Sequence, residues 1–167
     1  MPAREQDPGG LIRYDGRLMN FSRITDNLYI GTTPKFDGYA SLHQIGVSLV
    51  INMRIGLPPI SDPISPPIKS LWLPTIDSPL IPMPMRAFEK GVDAALKVFD
   101  QGGIVYTHCS HGRHRGPAMG ACILIAQGME PEQAIRLIEQ QRPVAVLHDW
   151  YIQRRIMKFA QIWKGRR

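Results

Sequence analysis

Apolar positions along the chain fall into two rhythms, short runs rich in β-branched residues and longer stretches with helical spacing. Val47-Ser48-Leu49-Val50-Ile51-Asn52-Met53 is nearly continuous in apolar character, as expected of a strand buried on both faces. Lys69-Ser70-Leu71-Trp72-Leu73-Pro74 and Gly103-Ile104-Val105-Tyr106-Thr107 predict two more strands, and Phe21 to Gly31 reads as two short strand-like pieces around Asp26-Asn27. The helical rhythm fills the gaps between them. A short helix is predicted from Phe36 to Ile45, ending at Gly46. Met85, Phe88, Val92, Ala95, Leu96 and Phe99 recur at spacings of 3, 4, 3, 1 and 3, one apolar helix face stopped by Gly102-Gly103. Ala118 to Ala126 is long and apolar enough for a buried helix. Glu130-Pro131 opens another, with Ala134, Ile135, Leu137 and Ile138 inward, closing before Pro143. The last runs from His148 to Trp163, with Ile152, Ile156, Phe159 and Trp163 on one stripe.

Strands alternating with helices predict a single α/β domain over residues 21–167, a mainly parallel sheet of four or five strands flanked by helices on both faces. Residues 1–20, with Pro2, Pro8, Gly9, Gly10 and Gly16 among charges, show no sustained periodicity and predict a flexible N-terminal arm. Pro58, Pro59, Pro63, Pro66 and Pro67 rule out a helix or interior strand between Leu57 and Pro67. That segment is a stiff surface loop, either a rim for the site or a plain connector.

The chemistry concentrates between Gly103 and Pro117, where a strand runs through His108-Cys109-Ser110-His111-Gly112-Arg113-His114-Arg115 into a helix. Backbone N–H groups at a helix start lack internal partners and carry partial positive charge, so a loop wrapped there cradles phosphate oxygens. Cys109 lies at its mouth. The local field and the Arg115 cation favour thiolate over thiol, which makes this cysteine a nucleophile. Asp77 follows the Lys69–Pro74 strand, and in a parallel sheet such loops gather with the phosphate loop at the C-terminal strand edge. A cap or turn role is the plain alternative for Asp77; Asp62, in the proline-rich loop, is the second acid candidate.

Cys109, Arg115 six places on, His108 before and Gly112 between match the His-Cys-x-x-Gly-x-x-Arg loop. The chain therefore resembles the cysteine-dependent protein tyrosine phosphatases, dual-specificity branch, over most of residues 21–163. The resemblance implies a phosphatase-type P-loop in which Ser110, His111, Gly112, Arg113, His114 and Arg115 bind the substrate phosphate, with His108 in support. It implies hydrolysis of phosphomonoesters through a phosphocysteine on Cys109, with Asp77 as general acid and neither metal nor cofactor. Phosphotyrosine and phosphoserine/threonine of proteins are the leading substrate class. One position departs from the pattern: most members carry Ser or Thr after the arginine, to help sulfur leave, and here Gly116 stands there. Gly116-Pro117 is similar to the glucan phosphatases. His111 is similar to the residue in RNA 5′-triphosphatases, and Arg113 to the basic residue of phosphoinositide phosphatases, so a non-protein polyanion is the alternative substrate.

Charge agrees with an anionic partner: the net charge is +6 and the isoelectric point about 9.6. No long polybasic block occurs, so nucleic acid is possible as a partner but not favoured. The two cysteines, Cys109 and Cys122, are separated by loop and helix too far for a disulfide, which points to a reducing, cytoplasmic setting. No apolar run approaches the ~20 residues of a membrane span, and the N-terminus has no basic region followed by an apolar stretch. Two other classes compete. His108, Cys109, His111 and His114 are zinc-type ligands, but a phosphate cradle spreads these side chains apart. A non-catalytic phosphate-binding module is the other; the spacing and Asp77 disfavour a sulfur transferase. Oligomeric state is open.

Overall fold

The structure is a computed structural model that describes residues 11–14, 17–56 and 58–166. Strand β6 (Ile104–His108) lies between two parallel neighbours, β3 (Leu28–Gly31) and β4 (Val47–Asn52). Beyond β4 comes β5 (Lys69–Trp72), again parallel; beyond β3 comes β2 (Arg17–Arg23), antiparallel. These five strands form the predicted mainly parallel sheet, and β1 (Leu11–Tyr14) extends it past β2. The expected arm needs correction here. Residues 1–10, 15 and 16 lie outside the described residues, but Leu11–Tyr14 and Arg17–Asn20 pair in register, Tyr14 opposite Arg17. Asp15-Gly16, between them in the sequence, is a two-residue hairpin signal that outweighs the weak periodicity around it.

Side chains alternate across a strand, so each central strand feeds two cores. Val105, Leu49, Ile51, Leu28 and Ile30 face one side; Tyr106, Val50 and Tyr29 face the other. The second side is covered by α1 (Gly38–Ile45) through Tyr39 and Leu42. Four helices cover the first: α2 (Met85–Asp100), α3 (Arg115–Ala126), α4 (Pro131–Gln141) and α5 (Trp150–Gly165). All twelve residues of α3 are buried, because α2, α4 and α5 enclose it against the sheet. Each of its large apolar side chains, Met119, Ile123, Leu124 and Ile125, contributes about 1.5–3 kcal/mol relative to exposure. The last helix starts at Trp150 rather than His148, since Glu139 takes the Leu147 N–H and the His148 ring.

The proline-rich segment is the crossover between parallel strands β4 and β5. Leu57 lies outside the described residues; the rest is tied to α1. Tyr39 Oη donates to Ile60 O at 2.7 Å, and Asp62 accepts from Ile64 N, Ile68 N and the His43 ring at 2.9, 2.8 and 2.6 Å. Asp62 is thus a structural anchor, with its side chain 2% exposed. Its burial favours the neutral form, but the donors prevail and hold its carboxyl below the ordinary range. A depressed carboxylate contributes stability above its unfolded value, and loses it as pH falls through the folded one. Asp62→Asn is therefore expected to cost roughly 1–3 kcal/mol at neutral pH. In thermal melts from pH 7 to pH 2, the gap between wild type and variant narrows toward the acid end; a constant gap would show that ionisation is not the source.

Candidate active site

The end of β6 and the start of α3 fix a loop whose backbone is organised by its carbonyls. Cys109 O accepts from Thr33 Oγ1 at 3.0 Å and lies 3.1 Å from His108 Nδ1. Gly112 O and His111 O accept from Arg142 Nε and Nη2 at 2.8 and 3.3 Å. Arg113 O takes Val146 N at 2.9 Å, and His114 O takes Ala118 N at 2.8 Å. In a trans peptide the next N–H points opposite to its carbonyl. With these carbonyls bonded to the surrounding protein, the N–H groups that follow them are turned the other way, toward the hollow of the loop.

Two glycines make this path possible. Gly112 has φ 65°, a left-handed conformation, and a Cβ there would lie 2.5 Å from Arg142 Nη2 and 2.8 Å from Gly31 O. At Gly116 a Cβ would stand 3.0 Å from His108 Cα and 3.2 Å from Cys109 N. A hydroxyl residue at Gly116 would have to push the loop by a few tenths of an ångström, a steric reason for this departure from the usual pattern.

Cys109 is 4% exposed, and Arg115 is 9% exposed at the first position of α3. Arg115 Nη1 donates to Thr75 O at 2.8 Å and Met53 O at 3.3 Å, which fixes the guanidinium plane. Its Nε is buried and has no acceptor among the described residues. A buried cationic donor without a partner costs free energy, and an oxyanion at the loop would relieve it. His108 is buried; burial, with the Arg54 and Arg115 cations, drives its pKa down to about 4, leaving a neutral ring. Ser110 is half-buried, and His111 and Arg113 are exposed.

Asp77 meets this loop through His114. Its Oδ2 is 2.9 Å from His114 Nδ1, and its Oδ1 accepts from Tyr151 Oη at 2.8 Å. Burial favours the neutral acid, but these two contacts and the His114 and Arg115 charges hold the carboxyl below its ordinary range. Burial and the bond to Asp77 push the Tyr151 hydroxyl up to about 12, so it remains a donor. The structure thus brings Cys109, Arg115, His114 and Asp77 together and separates Asp62 from them. His108 turns to Cys109 O and His114 to Asp77, so the zinc-type residues do not converge. Among the described residues no three His, Cys, Asp or Glu are grouped to hold a metal ion.

Sequence reasoning missed Arg142, which is fully buried and also reaches Ser22 Oγ at 3.2 Å. Next to Pro143 at a helix end it reads as an ordinary terminal cation, and only the tertiary fold places it under the loop. Tyr151 and Asp149 were missed for the same reason.

No family model matches the chain. Among curated proteins it is 40% identical over 76 residues to the Homo sapiens "Phosphatidylglycerophosphatase and protein-tyrosine phosphatase 1", a match that spans 45% of this chain and 37% of that protein. A mouse putative dual specificity phosphatase, solved with zinc tungstate, superposes with a TM-score of 0.79 at 22% identity, over 99% of this chain and 96% of that one. PTPMT1 in complex with PI(5)P superposes with a TM-score of 0.74 at 25% identity, over 87% and 97%. Among the described residues no helix is long and apolar enough to cross a membrane. In fold this chain is similar to the dual specificity phosphatases, and over 76 residues, 37% of that relative's length, it is similar in sequence to a cysteine-dependent phosphatase of the same superfamily.

Proposed function

We propose that the protein hydrolyses phosphomonoesters in two displacements at Cys109. The observation that carries this reading is the partnerless Nε of a pinned, buried Arg115 beside a loop whose carbonyls are bonded outward. Phosphate oxygens accept from the N–H groups of Ser110 to Arg115 and from the Arg115 fork, and the Cys109 sulfur attacks phosphorus as the P–O bond breaks. Asp77 protonates the departing oxygen. Water then attacks the phosphocysteine, with Asp77 accepting its proton and sulfur leaving as thiolate. Donors aimed at the equatorial oxygens stabilise both transition states.

The test is para-nitrophenyl phosphate turnover in EDTA and reductant, with acid-quenched samples mapped by mass spectrometry. Turnover with phosphate trapped on the Cys109 peptide supports the mechanism; no turnover, or phosphate on another residue, overturns it. Gly116 supplies no hydroxyl to the departing sulfur, so the second step is expected to limit the cycle. Rapid mixing then shows a burst approaching one nitrophenol per enzyme, and a linear trace would contradict slow phosphocysteine breakdown.

Phosphorylated protein side chains are the first substrate reading, supported by the dual-specificity relatives. A second, phosphorylated lipid, is favoured by a cavity of about 600 Å³ flanking Asp77. Ile76, Trp150 and Met157 give it apolar walls, and Arg154 and Lys158 basic ones, a lining suited to an acidic amphiphile. PTPMT1, solved with PI(5)P, adds weight to it. Relative kcat/KM on phosphopeptides, a short-chain phosphoinositide and a 5′-triphosphorylated RNA ranks the classes.

A further inference from the structure

The two oxygens of Asp77 are both engaged in the structure, and one of the engaged atoms belongs to a ring held on its far side as well. His114 Nδ1 is 2.9 Å from Asp77 Oδ2, and His114 Nε2 is 2.9 Å from Asp149 Oδ2. Asp149 meets Nε2 off the line of a straight hydrogen bond, as an ion-pair partner. Tyr151, two residues on at the start of α5, donates to Asp77 Oδ1 and sets its ring edge-on to the imidazole at 5.9 Å between centroids. Arg115 is the cation facing Asp77 and Tyr151 from α3. His114 is in the phosphate loop, Asp77 follows β5, and Asp149 and Tyr151 belong to the start of α5. Three separate elements therefore meet on one imidazole ring.

We infer that His114 is a positioning residue for Asp77 and the store of the proton that Asp77 passes to the leaving group, with Asp149 and Tyr151 holding the ring in place. This rests on the phosphatase reading above. The reason lies in a proton count. Each ring nitrogen faces a carboxylate, an acceptor, and a neutral imidazole carries only one N–H. The Nδ1–Oδ2 contact is satisfied by a proton in its gap, and the Asp149 carboxylate faces the other side of the ring as an ion-pair partner, so the cluster offers that proton a second site beside Asp77, whose own carboxyl is held by two donors below its ordinary range. When the P–O bond breaks, its electron pair stays on the leaving oxygen, which takes a proton from Asp77; Asp77 is refilled from His114 Nδ1, leaving a neutral imidazole. In the second step water bonds to phosphorus, the S–P electron pair returns to sulfur, and the proton from water travels to Asp77 and back to His114. The cluster ends the cycle as it began.

The experiment compares wild type with His114→Gln and Asp149→Asn on two aryl phosphates from pH 4.5 to 8.5. Phenyl phosphate has a leaving group that needs a proton; 2,4-dinitrophenyl phosphate has one that does not. For His114→Gln, kcat/KM on phenyl phosphate at pH 7 is expected to fall on the order of 10- to 100-fold, and by a clearly smaller factor on the dinitrophenyl ester. The alkaline limb of the phenyl profile moves to lower pH, since the proton then has only a carboxyl to reside on. Asp149→Asn changes both in the same direction by less. Equal losses on the two substrates, or an unmoved limb, would mean that His114 only braces the loop, and the inference would be wrong. A second readout does not need turnover: nitrogen NMR of the His114 ring in the Cys109→Ser protein. Adding Asp77→Asn is expected to shift the Nδ1 resonance, because Nδ1 loses its carboxylate partner at 2.9 Å, and a ring indifferent to that change overturns the inference even in an inactive protein. Wild type idle on both esters, with the ring still coupled to Asp77, would instead condemn the phosphatase reading alone.

Discussion

Cys109→Ser is expected to abolish turnover of para-nitrophenyl phosphate, a loss on the order of 10⁴-fold or more, while the protein stays folded and still binds phosphate. The reasoning starts from the replaced atom. Serine is nearly isosteric with cysteine, and the side chain is at the buried end of β6, so packing changes little. Its hydroxyl is a weak nucleophile unless a neighbouring base takes the proton. The adjacent His108 ring is a poor base for it, because burial and the Arg54 and Arg115 cations drive its pKa down to about 4. The binding groups are untouched, since Arg115 and the loop amides are held by Thr75, Met53, Arg142 and Val146. Three measurements check this together: turnover, melting temperature, and phosphate binding by titration. A serine variant as active as wild type would remove the covalent mechanism, and one that no longer binds phosphate would place Cys109 in the architecture of the loop.

Arg142→Ala is expected to be the most destabilising single change near the site, by about 3–5 kcal/mol. Three effects add. A large side chain leaves a sealed space, Gly112 O and His111 O lose buried donors, and Ser22 Oγ loses a partner in β2. Burial lowers the pKa of this guanidinium, but an arginine so strongly basic remains charged and gives charge-assisted bonds. Arg142→Lys is expected to recover only part of the loss, because a single ammonium cannot reproduce the fork that spans two successive carbonyls. Urea unfolding of the three proteins measures the stability, and kcat/KM under folding conditions measures the loop. A loss below about 1 kcal/mol would mean that the loop holds its shape without this residue.

What the sequence made legible follows from how local each signal was. The β6-loop-α3 unit is written in one stretch, with apolar residues before and after and the distinctive residues between them, so strand, loop and helix could be read together. Helix α2 was equally plain, since its apolar stripe repeats over four turns. Asp77 could be proposed because a loop after a parallel strand has only one edge of the sheet to emerge from. By contrast, Arg142 and Asp149 act across 30 and 35 positions of sequence on residues of the loop, Gly112 and His114. No spacing rule joins such pairs; the packing of α4 and α5 against α3 does. Asp62 was ambiguous for a related reason, as only its three donors distinguish an anchor from an acid. The hairpin of β1 was missed because Asp15-Gly16 was weighed as part of a polar stretch.

The complete burial of α3 bears on how the molecule opens. An amide in a helix with no exposed face exchanges its hydrogen only when the whole domain unfolds, so the amides of α3 past its first turn should report the global free energy of unfolding. The segment that follows Asp77 is different, with Leu80 88% and Ile81 51% exposed. Its amides should exchange through small openings well below that limit. Deuterium uptake would then divide the chemistry into two regimes, a phosphate cradle anchored in the slowest-exchanging part of the protein and an acid that borders a faster one.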